Sequence, residues 1–165
     1  MSLRIKGIIV PLLTPFDPQG ALDHAALARL VEFLIARGVQ GLFPGGTTGE
    51  GPLLSTDERR ALAEAVVRAA DGRVPVIIHT GAITTQEAIA LTRHAQATGA
   101  DAAALITPYY FHYSDDALFR HFAAVCEAAP DFPIYLYNNP GVTGNTITAG
   151  LVWRLAEACP NVIGM

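Results

Sequence analysis

The chain of 165 residues is 51% hydrophobic and 16% charged, with a mean hydropathy of +0.33. That is ample apolar material for one sizeable core and argues against disorder. No run approaches the roughly 18 consecutive apolar residues of a membrane-spanning helix, and Met1-Ser2-Leu3-Arg4-Ile5-Lys6 lacks the regions of a secretory signal. A net charge of -4 with only 11 Lys plus Arg leaves no basic face for nucleic acid. Cys126 and Cys159 make neither a disulfide framework nor a metal site. A soluble, reduced, cytoplasmic protein is expected.

Short aliphatic or β-branched runs occur at Ile5–Val10, Gly41–Pro44, Val74–His79, Ala102–Thr107, Ile134–Tyr137 and Val162–Met165, each pair separated by a helical stretch. The runs begin at residues 5, 41, 74, 102, 134 and 162, so successive starts lie 28 to 36 residues apart. That spacing suits parallel βαβ units with right-handed crossovers, and the near-continuous hydrophobicity suits strands buried on both faces.

Leu27, Leu30, Val31, Leu34 and Ile35 form the apolar stripe of the first helix, which Gly38 stops. Ser55 with Glu58, and Thr84 with Glu87, have capping-box spacing at the starts of the second and third helices. Ser114 and Thr148 are expected to cap the next two, and Pro130 and Pro160 to end them. No linker or second domain is visible, so residues 1–165 are read as one catalytic domain.

Two α/β architectures alternate in this way: the closed (β/α)8 TIM barrel and the open doubly wound sheet. Length favours the open sheet, since a complete barrel takes about 250 residues. The loops favour the barrel. The first strand runs into Pro11-Leu12-Leu13-Thr14-Pro15-Phe16, with no G-x-G-x-x-G or G-x-x-x-x-G-K, while polar and Gly-rich segments follow strand after strand. Sites spread over many strand ends are the barrel's habit. The expectation is the first six strand-helix units of a barrel, incomplete at its C-terminus.

The segment Pro44-Gly45-Gly46-Thr47-Thr48-Gly49-Glu50-Gly51 follows the second strand. Its glycines can bring backbone N–H groups close to a small anion, and two hydroxyls add donors; a tight turn that needs glycine for backbone reasons is the alternative. Glu50 is expected to accept loop N–H groups rather than act as a base. Strands four and five lead into Thr107-Pro108-Tyr109-Tyr110 and Tyr137-Asn138-Asn139-Pro140-Gly141-Val142-Thr143-Gly144. A tyrosine, with an ordinary pKa of about 10, needs hydrogen-bonded neighbours to move protons near neutrality. Thr47 and a second tyrosine are candidates. His79 is expected to be hydrogen-bonded in the barrel mouth, Asn138 to support the strand-five turn, and His24, His94 and His121 to be solvated on helices. His112 has no metal-ligand partner at useful spacing, so no metal is expected.

Gly46-Thr47-Thr48-Gly49-Glu50, Thr107-Pro108-Tyr109-Tyr110 and Tyr137-Asn138-x-Pro140-x-x-Thr143-Gly144, in this order and spacing, resemble the dihydrodipicolinate synthase / N-acetylneuraminate lyase family of pyruvate-dependent aldolases. The resemblance runs from Ile9-Val10-Pro11-Leu12-Leu13-Thr14-Pro15-Phe16 to the last residue. It implies a class I aldolase that needs no cofactor, in which a strand-six lysine forms a Schiff base with pyruvate, and a homotetramer built as a dimer of dimers. It also implies Tyr137 as proton donor and acceptor, Thr47 as relay, Tyr110 as a relay member reaching a neighbouring subunit's site, and Thr48 with Gly46 as the pyruvate carboxylate site.

Two departures shape the expectation. The family lysine should follow Val162-Ile163-Gly164-Met165, where the sequence stops; Lys6, at the opposite end of strand one, is no replacement. Truncation of a longer protein, or a residue at that point not written as a standard lysine, is therefore expected. The synthase branch usually carries an arginine where Val142 stands, and an apolar side chain cannot hold an aldehyde's carboxylate by a bidentate contact. Cleavage or formation of a 2-keto-3-deoxy sugar acid is accordingly the leading expectation, with 4-hydroxy-tetrahydrodipicolinate (dihydrodipicolinate) synthesis as the alternative and a non-catalytic keto-acid or anion-binding module as a third reading. Expressed alone, the 165-residue polypeptide is expected to aggregate and to be inactive, since six barrel strands would leave two unpaired sheet edges; a soluble monomer that turns over a 2-keto acid in a lyase assay would overturn this.

Overall fold

The structure, a computed structural model, describes residues 5–165; Met1-Ser2-Leu3-Arg4, on which the reading of no secretory signal partly rests, lie outside them. Six strands alternate with helices: β1 (Ile9–Pro11), α1 (His24–Ala36), β2 (Gly41–Phe43), α2 (Thr56–Ala70), β3 (Ile77–His79), α3 (Thr85–Ala97), β4 (Ala102–Ile106), α4 (Asp115–Ala128), β5 (Ile134–Tyr137), α5 (Pro140–Thr143), α6 (Ala149–Ala158) and β6 (Val162–Gly164). The foreseen strands are present but trimmed, because the run-in residues such as Ile5–Ile8 and Val74–Val76 do not join a continuous ladder. α5 is a single turn that no apolar periodicity announces.

All strand pairs are parallel, β1 with β2 and then β3 through β6 in chain order. A bridge between Leu42 and Val76 joins the two groups, reinforced by Leu42 N–H donating to the Pro75 carbonyl at 3.0 Å and His79 N–H to that of Pro44 at 3.2 Å. The strand order never reverses, so there is no topological switch point of the doubly wound kind.

Alternation along the strands separates two apolar faces. Ile78, Ala103, Leu105, Ile134 and Leu136 share one buried cluster with the inner faces of α1, α2, α3, α4 and α6, whereas Ile77, Ala102 and Ala104 pack with Ile9, Phe43 and Tyr135 on the other face. Helices thus cover one side only, as in the wall of a barrel. The alanines of β4 (Ala102, Ala103, Ala104) are wholly or almost wholly buried, their small side chains letting neighbours close in from both faces.

The helix starts follow the sequence. Ser55 and Glu58 form a reciprocal capping box on α2, and Ser114 and Thr148 accept from the third residue of their helices. Thr84 caps α3 through Glu87 N–H, but the Glu87 carboxylate accepts from Thr56 Oγ1 at 3.0 Å instead of closing the box, because α2 brings a hydroxyl within reach. Phe122 is fully buried at the centre of the helix-side cluster. In the full-length protein, Phe122→Ala should cost about 3–5 kcal/mol, measured as a lowered urea midpoint at unchanged slope.

Candidate active site

Parallel pairing in register puts the C-terminal ends of all six strands on one rim, and the sequence-expected residues lie there. After β2 the chain turns tightly: Gly49 and Gly51 N–H both donate to the Gly46 carbonyl at 3.1 Å, and Thr14 Oγ1 donates to the Gly49 carbonyl at 2.6 Å. Glycine is required here, since a Cβ at Gly49 would stand 2.6 Å from the Leu12 carbonyl oxygen and one at Gly51 would collide with the Gly45 carbonyl. The backbone N–H groups of Gly46, Thr47 and Thr48 have no backbone acceptor among the described residues, which leaves donors free for an anion. Glu50 departs from expectation: it is exposed, adopts φ 54° and caps nothing with its side chain, because the left-handed turn throws the carboxylate outward.

Across the rim, Thr47 Oγ1 and Tyr137 Oη are 3.0 Å apart, a contact between β2 and β5 spanning 90 residues of sequence. Asn139 Nδ2 donates to the same Tyr137 oxygen at 3.3 Å, a partner the sequence reading missed although it lies two residues on. Beneath the hydroxyl, the ring of Tyr137 meets Phe43 edge-on at 5.6 Å and His79 at 5.9 Å, and Phe43 meets His79 at 6.0 Å. Three rings from β2, β3 and β5 thus wedge one another and fix the direction of the phenol.

Tyr110 is not brought to this pair. It is 83% exposed and its ring meets Phe111 edge-on at 4.9 Å, while its backbone holds φ 81°, a left-handed conformation costly for a bulky residue. The tyrosine loop is anchored by buried Asn145, which donates through Nδ2 to the carbonyls of Pro108 at 2.9 Å and Phe111 at 2.8 Å and accepts Tyr113 N–H at 2.8 Å. Thr107 Oγ1 donates to Thr143 Oγ1 at 2.9 Å, tying β4 to α5. Asn138 accepts Ile147 N–H at 2.9 Å, the supporting role expected of it. Asn145 was not singled out in the sequence, where one asparagine after a glycine carries no pattern.

Two cavities lie beside the Thr47–Tyr137 pair, one lined by Thr47 and the other by Tyr137. One, of about 260 Å³, is lined by Thr47, His79, Ile106, Tyr109, Val142 and Thr143, with Glu50, Pro52 and Leu53 at its rim. The other, of about 290 Å³, lies on the lumen face against Ile9, Phe43, Ala104, Tyr135, Tyr137 and Met165. Tyr135 is opposite Gly164 in the β5–β6 pairing, where the register shifts between Ile134 and Tyr135.

The chain matches the dihydrodipicolinate synthetase family over residues 4–165. It belongs to that family. The 4-hydroxy-tetrahydrodipicolinate synthase of Methylococcus capsulatus is 47% identical over 161 residues, covering 98% of this chain and 55% of the relative. Among solved structures, the dihydrodipicolinate synthase of Acinetobacter baumannii, complexed with pyruvate, superposes with a TM-score of 0.93 at 42% identity, covering 98% of this chain and 55% of that one. A prophage protein of the family from E. coli K12, also in complex with pyruvate, gives 0.93 at 42% identity over 96% of this chain and 53% of that one. The chain therefore spans about half the length of the relatives it matches, and its fold is the N-terminal part of their TIM barrel.

The histidines behave differently from one another. His24 is exposed, and His94 is half-buried beside Glu64 at 3.0 Å; His112 Nδ1 lies 3.0 Å from the Gly144 carbonyl. His121 is buried against Thr85 at 3.0 Å rather than solvated, because α4 turns that face onto α3, and burial pushes its pKa down to about 4. His79, buried beside the Arg59 guanidinium, is pushed down to about 3, first by desolvation and then by that charge, with the Gly45 carbonyl offsetting part. Among the described residues, no group of three or more His, Cys, Asp or Glu could hold a metal. Both buried imidazoles are neutral in the fold and regain an ordinary pKa near 6.5 on unfolding, so the unfolded state binds more protons below that value. Stability of the full-length protein should fall as pH drops from 6.5 toward about 4, and His121→Phe should flatten that limb in urea melts taken across the range.

Proposed function

We propose that this chain is the pyruvate-handling half of a class I aldolase barrel, a single domain in which a lysine directly after Met165 attacks the keto carbon of pyruvate, expels water and forms an imine. The observation that carries the reading is the Thr47–Tyr137 hydroxyl pair at 3.0 Å. The imine withdraws electrons from the adjacent methyl group, and Tyr137 exchanges the proton that this activates. Thr47 relays it, so no free phenolate is required near neutrality. Thr48 and Gly46 offer N–H groups to the pyruvate carboxylate beside the same pair. Tyr110, exposed and strained, fits the role of relay member for a second copy's site in a homo-oligomer. Cys126 and Cys159, both free and buried, suit a reducing cytoplasm, and no helix of the described residues is long and apolar enough to cross a membrane.

The names of the relatives favour condensation toward 4-hydroxy-tetrahydrodipicolinate over the sugar-acid reading drawn from sequence. One observation supports the second reading: Val142 lines the mouth cavity, where it gives no charge to an aldehyde's carboxylate.

Borohydride treatment of the full-length protein with pyruvate should leave a reduced adduct on the residue after Met165, seen by peptide mass spectrometry; no adduct would overturn the Schiff-base reading and favour a binding module. Tyr137→Phe should cut turnover about 100-fold or more, the usual worth of a positioned proton-transfer group, while the adduct still forms. Unchanged turnover would remove Tyr137 from the chemistry. Parallel assays with a carboxylate-bearing aldehyde and with a 2-keto-3-deoxy sugar acid separate the two substrate readings.

A further inference from the structure

Asparagine is among the best residues at a helix N-cap, because its side-chain oxygen accepts from the first free N–H groups. Asn139 occupies the N-cap of α5 and yet caps nothing with its side chain. Its backbone carbonyl serves that turn instead, accepting Val142 N–H, Thr143 N–H and Thr143 Oγ1 at 3.2 Å each. Thr143 is buried and accepts from Thr107 Oγ1 at 2.9 Å, so the turn that carries Asn139 is tied to the end of β4. The amide is turned toward the site: Nδ2 donates to Tyr137 Oη at 3.3 Å, and the side chain makes no other hydrogen bond among the described residues. Tyr137 Oη therefore has two partners of different chemistry. Thr47 Oγ1, at 3.0 Å, can give a proton or take one, whereas a neutral amide N–H donates a hydrogen bond and carries no proton away.

We propose that Asn139 is a positioning residue of the proton transfer, whose Nδ2–H meets the negative charge that develops on Tyr137 Oη as the phenol gives up its proton. This rests on the aldolase reading above. In that step the O–H bond of Tyr137 breaks, the proton passes to the substrate, and the electron pair stays on Oη; a proton returned through Thr47 restores the phenol. A neutral phenol oxygen is a weak acceptor and a charged one a strong acceptor, so a fixed donor aimed at it stabilises the transition state more than the resting state. The separation of 3.3 Å is long for an N–H···O bond, as befits a donor whose strong partner exists only in transit. Because the amide cannot accept the proton, relaying is left to Thr47. The ring packing of Phe43 and His79 directs the phenol, whereas Asn139 acts on the charge at its tip.

Three variants of the full-length enzyme test this. Asn139→Leu removes the donor at similar size, Asn139→Asp puts a carboxylate in its place, and Asn139→Gln keeps a donor on a longer arm. Deuterium exchange at the pyruvate methyl group, followed by proton NMR and normalised to the borohydride adduct formed, reads the proton transfer alone. With Asn139→Leu the exchange rate should fall about 10- to 100-fold, the loss of a hydrogen bond to a developing charge, while KM for pyruvate stays within about twofold, as for an interaction made only in the transition state. Asn139→Asp should be about tenfold slower still, from repulsion between like charges, and Asn139→Gln should lie between Asn139→Leu and the wild type. The ratio of Asn139→Asp to wild type should climb as pH falls from about 8 to about 5, because protonation of the carboxyl returns an O–H donor; the ratio for Asn139→Leu should stay flat. Equal, pH-independent falls in Asn139→Leu and Asn139→Asp would make the residue a support of the turn and overturn the proposal. So would unchanged exchange in Asn139→Leu, or wild-type exchange in Asn139→Asp, which would put the amide oxygen rather than Nδ2 against the phenol. A wild-type enzyme that forms no borohydride adduct defeats the aldolase reading itself, a result recognised before any variant is made.

Discussion

Everything at the rim depends on six short strands running parallel and in register. A parallel ladder carries each strand's C-terminal end to the same side, and the crossover helices leave the opposite face clear. Strands of three to five residues suffice because their packing is dense: β3 and β4 are buried along their whole length. Alternation then sends one set of side chains to the helices and the other to the lumen. A one-residue slip in β5 would turn Tyr135 and Tyr137 into the helix layer and bring Ile134 and Leu136 to the rim.

The lumen side is built for direction rather than volume. Phe43, His79 and Tyr137 meet edge to edge at 5.6 to 6.0 Å, which leaves the phenol one orientation, toward Thr47. The loops repeat this logic with polar groups. Asn145 satisfies three backbone groups of the tyrosine loop, and Thr143 joins that loop to the turn after β5. Arg59 serves the turn after β3 in the same way, its guanidinium held by two carbonyls. Buried polar residues that are paired in this manner stiffen a loop at little net cost, while His79 Nε2 and Arg59 Nε, left unpaired, stand out against that background.

Helix starts were legible because a cap is a local event: Ser55, Thr84, Ser114 and Thr148 each bond a residue three positions away. The partner of Glu87 was not, because Thr56 lies 31 residues distant and meets it only when α2 and α3 pack. The burial of His121 escaped notice for the same reason, since nothing within α4 states which of its faces will meet α3. Motif residues fared better. Thr47 and Tyr137 were picked out by spacing and resemblance, although their contact spans 90 residues.

The sequence by itself determined the alternation of strand and helix, the glycine turn at 45–51 that only residues without a Cβ can make, and the family to which its three motifs belong. These follow from hydrophobic period, capping chemistry and backbone sterics, all read within a few residues. Tertiary structure decided which groups touch: that Asn139 joins Thr47 at the Tyr137 oxygen, that Tyr110 stands apart from them, and that Arg59 faces His79 and leaves Nε2 unpaired. Such contacts arise between elements far apart in the chain, so they depend on packing angles and register, which no local pattern encodes.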